Sequence, residues 1–258
     1  MTTSQYFNLI DTMARLSLKA EAQRYYLGYL WWVLEPLLWV GVFYVVFFQL
    51  LGTRTPDFLM FLAVGKLMFI WFSKTVNYAG NSLTTNAGLI GRMDLPKSLF
   101  PLTVVLECSY RQVAVFLLLF VLIVTDGFSP SMLWFWLFPL LIVQLLLIVF
   151  CSCVAAVLVA FQRDFGLLIN LGMVFLMFVS GVFWDIRDIA NMAAADALLT
   201  WNPIAFLLHS YRQVLLWGEV PDGWHLLNLG LFSLVAMLVT LRLMQRYGAH
   251  VARRVVSA

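Results

Sequence analysis

Six stretches of the sequence are apolar over about the length of a membrane crossing: Gly28 to Leu51, Phe58 to Gly80, Leu102 to Thr125, Met132 to Ala160, Phe165 to Trp184 and Trp224 to Leu243. A spanning helix needs about 20 apolar residues, so each run predicts one transmembrane helix. The expected fold is an all-α integral membrane unit of six spans over residues 1–258. Residues 1–27 precede the first span, 28–184 hold five spans with a connection at 81–101, 185–223 form a long loop, and 224–258 hold the last span and a basic tail. The first 27 residues lack the charged, apolar and small-residue order of a cleavable signal, so the first run is expected to stay as an anchor.

Two polar-flanked segments carry a helical period. In the first, Tyr6, Ile10, Met13, Leu16, Ser17 and Ala20 share one face, opposite Asp11, Arg15 and Lys19, which predicts an amphipathic helix in the membrane interface. In the second, Ile204, Leu207, Leu208, Tyr211, Val214 and Leu215 follow Asn202-Pro203 at i, i+3, i+4, i+7 spacing, with proline suited to a helix start. With a further short helix over Ile186 to Leu199, this loop predicts a re-entrant hairpin, two short gate helices before the last span; a pair lying on the surface is the alternative.

Composition sharpens the picture: 63% of residues are apolar and 11% charged, against roughly 25% charged in soluble domains. A soluble fold and a nucleic-acid-binding domain are both excluded. Six spans place the termini together, and on that side fall ten bases: Arg15, Lys19, Arg24, Arg92, Lys97, Arg163, Arg242, Arg246, Arg253 and Arg254. Arg54, Arg187 and Arg212 fall on the other, so the basic side is cytoplasmic and both termini with it. Cys108, Cys151 and Cys153 sit inside apolar runs and read as small core residues.

The second run is apolar on one side only. At 100° per residue, Lys66, Ser73, Lys74, Asn77, Asn81, Thr84 and Thr85 fall in one arc with Tyr78 beside it, while Phe69, Phe72, Val76 and Leu83 lie opposite. Intramembrane charge costs on the order of 2.5–3.5 kcal/mol per group even on the lenient scale. Such a stripe faces protein or water and reads as the wall of a conduit; snorkelling lysines and amides bonding to neighbouring helices are the structural alternative. In the third run Glu107 and Arg111 stand at i, i+4 in the order that favours an intrahelical pair, which leaves Glu35, beside Pro36, as the one unpaired intramembrane acid. The sequence has no phosphate-binding loop and no His-Glu-x-x-His, and His209, His225 and His250 are scattered, so no nucleotide hydrolysis, catalytic centre or metal site is expected.

Three stretches carry a resemblance. Leu18-Lys19-Ala20-Glu21-Ala22-Gln23-Arg24-Tyr25-Tyr26-Leu27-Gly28-Tyr29-Leu30-Trp31-Trp32-Val33-Leu34-Glu35-Pro36 resembles the entry into the first span of the membrane subunit of ABC-2-type exporters, in the branch that exports O-antigen, capsule and teichoic acid. The stretch Asn81 to Arg92, followed by Leu95-Pro96-Lys97 and Leu99-Phe100-Pro101-Leu102, is similar to the loop that docks on the family's nucleotide-binding subunit, although Asp94-Leu95 stands where an aromatic is usual. Phe161-Gln162-Arg163-Asp164, Ser180-Gly181-Val182-Phe183-Trp184 and Trp201-Asn202-Pro203-Ile204 also look like the family, which commonly has a proline where Lys66 stands.

The resemblance implies a permease half that homodimerises in the bacterial cytoplasmic (inner) membrane, recruits two copies of a separate ATPase, and exports a polyprenyl-diphosphate-linked glycan. ATP and Mg would be bound by that partner, and this chain would hold no cofactor. The implied roles are ATPase coupling for Asn86, Leu89, Ile90, Arg92, Pro96, Lys97, Arg163 and Asp164, and headgroup attraction for Lys19 and Arg24. The conduit would comprise Lys66, Trp71, Lys74, Asn77, Tyr78 and Asn81, and the outer gate Trp184, Asp185, Asn202, Pro203, Tyr211 and Arg212, with membrane lipid around the whole and no nucleic acid. The alternatives are an exporter of the same architecture carrying a drug, haem or lipid, and an ion-coupled carrier.

Overall fold

The computed structural model describes residues 2–50, 52, 57–93 and 95–257. Arg54, counted above on the outer side, and Asp94, the departure in the docking loop, lie outside the described residues. The helices are α1 (Thr3–Arg24), α2 (Trp31–Phe43), α3 (Phe58–Gly80), α4 (Ser82–Thr85), α5 (Ala87–Arg92), α6 (Leu99–Thr125), α7 (Leu137–Phe161), α8 (Asp164–Val179), α9 (Met192–Trp201), α10 (Pro203–Arg212), α11 (Gly223–Arg246) and α12 (Gly248–Ser257). Among the described residues five helical stretches are long and apolar enough to cross a membrane: Gly28–Phe47, Phe58–Gly80, Leu99–Thr125, Met132–Phe161 and Gly223–Arg246. The fifth apolar run forms the shorter α8, 16 residues or about 24 Å at 1.5 Å per residue, and ends where Gly181 takes a positive φ of 70°.

Helix α3 is the axis of the bundle, packed by α6, α7, α10, α2 and α8. Its apolar side, with Leu62, Val64, Met68, Phe69, Phe72 and Val76, is the core, and Gln144 of α7 ties to it by donating to the Met68 carbonyl at 3.0 Å. Helix α11 lies along α7 at Gly230, where a Cβ would come within 3.1 Å of Val143 Cγ2. Cys108 and Cys153 are buried and Cys151 half-buried, all as free thiols.

Helix α1 corrects the expected interface face. It packs on α6 through Ile10, Ala14, Leu18 and Ala22, all buried, whereas Leu16 is exposed. This i, i+4 row alternates a large residue with an alanine, so Ala14 and Ala22 let the helix backbones approach while Ile10 and Leu18 fill the seam, and that outweighs the apolar area of a lone leucine. Asp11, expected on the free face, accepts hydrogen bonds from Tyr110 and Arg15. The Tyr110 bond, then Arg15, hold its carboxyl below the usual range.

The long loop between α8 and α11 folds as a 3-10 turn (Ile186–Asp188), then α9 and α10. The Asn202 side chain caps α10 by accepting from Ile204 N and Ala205 N, each at 3.1 Å, and Pro203 occupies the first turn. Helix α9 has no buried residue. By contrast α10 buries Ile204, Ala205, Phe206, Leu207, Leu208, Ser210, Tyr211 and Arg212 against α3 and α7. It is inserted among the other helices, whereas α9 packs none of its residues away.

At the opposite end of the bundle, the docking segment forms the short helices α4 and α5, the second carrying Leu89, Ile90 and Arg92, and the expected tail is the amphipathic α12, whose Val251 and Val255 are buried as it packs on α5 and α7. Tyr6 of α1 and Ser98, just before α6, share a 2.8 Å hydrogen bond at this end.

Candidate functional site

A cavity of about 340 Å³ opens where the end of α1 meets α2, α3 and α6. Its walls carry four tryptophans, Trp31, Trp32 and Trp39 of α2 and Trp71 of α3, with Tyr25 and Tyr78. The charged groups lining it are Glu21, Glu35, Lys74 and Arg111, two acids against two bases.

Those charges are paired. Lys74 donates to Glu35, bridging α3 to α2, so Glu35 is not the unpaired acid the sequence suggested: its partner lies 39 positions away and is visible only in three dimensions. Arg111 pairs with Glu107 one turn back, as the i, i+4 spacing indicated, and also with Glu21 of α1 at 2.9 Å. Ser17 Oγ donates to Glu107 at 2.7 Å. Burial raises the Glu21 carboxyl above its ordinary value, against the pull of Arg111. The cavity therefore offers flat apolar faces and dipolar groups with its charges neutralised. Trp71 Nε1 and Gln112 Nε2, in two residues lining it, have no hydrogen-bond partner.

The expected conduit residues divide. Trp71, Lys74 and Tyr78 line the cavity. Asn77 is half-buried and Asn81 exposed, with Asn81 Nδ2 donating to the Asn77 carbonyl at 3.1 Å. Lys66 does not line the cavity, and its ammonium is turned into the protein. Only 8% exposed, its ammonium lies 4.8 Å from the Trp39 ring and 5.8 Å from that of Phe183, and donates to Met177 Sδ at 3.0 Å. An aromatic cage stabilises an ammonium group through the ring quadrupoles.

Lys19 and Arg24, expected at a headgroup, are exposed on α1 and α1's last turn, and neither lines the cavity. In the docking segment Asn86 Nδ2 donates to the Ser82 carbonyl at 2.7 Å. Ile90 is buried, Leu89 half-buried and Arg92 exposed, while Pro96 is half-buried and Lys97 buried. Arg163 and Asp164 are exposed at the α7–α8 turn, where Gln162 Nε2 donates to Asp164 at 3.2 Å.

The expected gate residues surround the α8 turn. Trp184 Nε1 donates to the Phe178 carbonyl at 2.8 Å, and Asp185 pairs with Arg187 at 2.9 Å. Asn202 Nδ2 donates to Ser180 Oγ at 3.0 Å. Tyr211 is fully buried with its hydroxyl unpartnered. Arg212 is the largest departure, since topology counting treated it as an outer base. It is 1% exposed and donates to the carbonyls of Gly181 at 2.7 Å, Val182 at 3.1 Å and Phe61 at 3.2 Å. Its guanidinium lies 3.5 Å over the Phe61 ring.

No family model matches the chain. Among curated proteins it is similar to the O-antigen export system permease protein RfbA of Myxococcus xanthus, 26% identical over 90% of both chains, and to RfbA of Klebsiella pneumoniae, 26% identical over 83% of this chain and 82% of that one. The polysialic acid transport protein KpsM of Escherichia coli is 23% identical over 91% of both. The resemblance read from the sequence is borne out: this multi-pass membrane chain is a homologue, over most of its length, of permease proteins that serve polysaccharide export.

Proposed function

We propose that the chain is the permease half of an ATP-driven exporter that moves a polyprenyl-diphosphate-linked glycan across the bacterial inner membrane. The observation that carries this reading is the nearly end-to-end similarity to permeases named for O-antigen export and polysialic acid transport. On this reading α8 is the sixth crossing, both termini are cytoplasmic, and two copies associate.

The cavity supports the glycan part of the proposal. Tryptophan and tyrosine faces pack on the apolar faces of sugar rings while their polar edges and the paired charges offer hydrogen bonds. Because Glu21 and Glu35 cancel Arg111 and Lys74, the lining suits sugar hydroxyls better than a diphosphate, and the headgroup is left to Lys19 and Arg24. Basic groups at that level gain about 1 kcal/mol each near an anionic surface. The ATPase would dock at α5, where exposed Arg92 adjoins Ile90, itself buried and thus able to pass a rigid-body push into the bundle.

Deleting the gene in its host and probing cytoplasmic and surface fractions for glycan tests the reading. Polymer trapped inside is the expected result; normal surface polymer overturns it. Separately, Arg92→Glu is expected to abolish co-purification of the ATPase with a chain still folded in the membrane, and undiminished co-purification would remove α5 from the docking surface.

A further inference from the structure

The tryptophans of the cavity wall are held in different ways. Trp71 is buried and meets the Phe116 ring edge-on, 5.9 Å between centroids, and Trp32 meets that of Tyr29 at 4.9 Å. Trp39 has less around it. It is 40% exposed, on a helix that buries only Pro36, Val40 and Phe43, and an indole so placed has room to change rotamer. What lies over its ring is a cation, the Lys66 ammonium, 4.8 Å from the centroid.

Lys66 is itself fixed from two further sides. Its Nζ donates to Met177 Sδ near the end of α8, at 3.0 Å, and lies 5.8 Å from the Phe183 ring in the turn that follows. Among the described residues no carboxylate bonds to it. Unpaired charge within a span is costly, and a methionine, such as Met60 or Met68 of the same helix, would fill similar space without that cost. The ammonium adds what a methionine lacks, an electrostatic attraction for aromatic faces that strengthens as water is excluded.

A planar ring with a cation over one face no longer turns freely, and Trp39 is part of the cavity wall. A flat face held at a fixed angle is what stacking on a sugar ring requires. We propose that Lys66 is a positioning residue for export: from behind the wall its ammonium sets the plane of Trp39 on which the glycan stacks. Through Met177 and Phe183 it also ties that plane to the turn after α8, whose Gly181 and Val182 carbonyls are held by Arg212. The stacking role rests on the cavity being the path of the glycan; the contact that sets the ring does not.

The test begins with fluorine NMR of the full-length chain labelled with fluorotryptophan in mild detergent, the Trp39 line being assigned by its loss in Trp39→Phe. One narrow Trp39 line is expected. Lys66→Met should shift and broaden it while the thermal midpoint holds or rises, because a buried charge gives way to an apolar group. Lys66→Arg, whose guanidinium also stacks on indole, should keep the line narrow. In cells, Lys66→Met should lower surface glycan per folded chain about fivefold, and Lys66→Arg should recover most of it. Added to Trp39→Leu, Lys66→Met should have no further effect, since the two side chains act as a unit. A Trp39 line indifferent to Lys66→Met overturns the proposal whatever the chain exports. So does a full further loss of export when Lys66→Met is added to Trp39→Leu, which would give Lys66 a role apart from the ring. A line that moves as expected, with surface glycan undiminished in both Lys66→Met and Trp39→Leu, overturns the stacking role together with the reading of this cavity as the path.

Discussion

Replacing Arg212 with methionine is expected to lower the stability of the folded chain by about 3–5 kcal/mol, read as a fall of about 10 °C or more in the thermal midpoint of the purified protein. The guanidinium satisfies three buried carbonyls at once, those of Gly181 and Val182 beyond α8 and of Phe61 in α3. Methionine fills much of the volume but leaves the Gly181 and Val182 carbonyls without a donor, while the Phe61 carbonyl keeps only its helical partner within α3. Lysine is expected to do little better, because one ammonium group lacks the planar fork that reaches three acceptors. Gly65 is the other half of the arrangement: a Cβ at that position would overlap the Arg212 guanidinium. Gly65→Val should therefore reproduce the loss with Arg212 present and add little to Arg212→Met, since both variants remove one interaction. An unchanged midpoint in Arg212→Met would show that these bonds do not hold α10 in place.

The α10 stripe was legible from Ile204, Leu207, Leu208 and Tyr211, and Arg212 follows Leu208 by one turn, on the same face. The rule that charged residues belong to the solvent side outweighed that periodicity. A buried arginine needs carbonyls freed from helical pairing, and these come from the turn after α8, some 30 residues away. The Glu107–Arg111 pair was legible because it is local. The Glu35–Lys74 pair was not, because it spans two helices. The α1 face was missed for a different reason: Ala14 and Ala22 count for little on a hydropathy scale, although their small size is what admits α6. The cavity was half legible. Trp71, Lys74 and Tyr78 were found through the polar stripe of α3, whereas Trp31, Trp32, Trp39 and Glu21 belong to segments read only as membrane entry.

Reversing the charge of Lys74 is expected to reduce export at least about tenfold, measured as surface glycan per folded chain in the membrane. Lys74→Glu sets two carboxylates against each other where α2 and α3 now meet through an ion pair. Both side chains are about a third exposed, so solvent moderates the loss of stability, and the larger effect falls on the shape and charge of the cavity. The exchanged pair, Glu35→Lys with Lys74→Glu, restores the bridge and should recover most of the export. Three results separate the roles of these groups. Recovery in the exchanged pair assigns them to holding α2 against α3. A folded exchanged pair that does not export assigns Lys74 and Glu35 to the passing glycan individually, because their sum is unchanged and only their positions differ. Undiminished export by Lys74→Glu would place the path of the glycan elsewhere than this cavity.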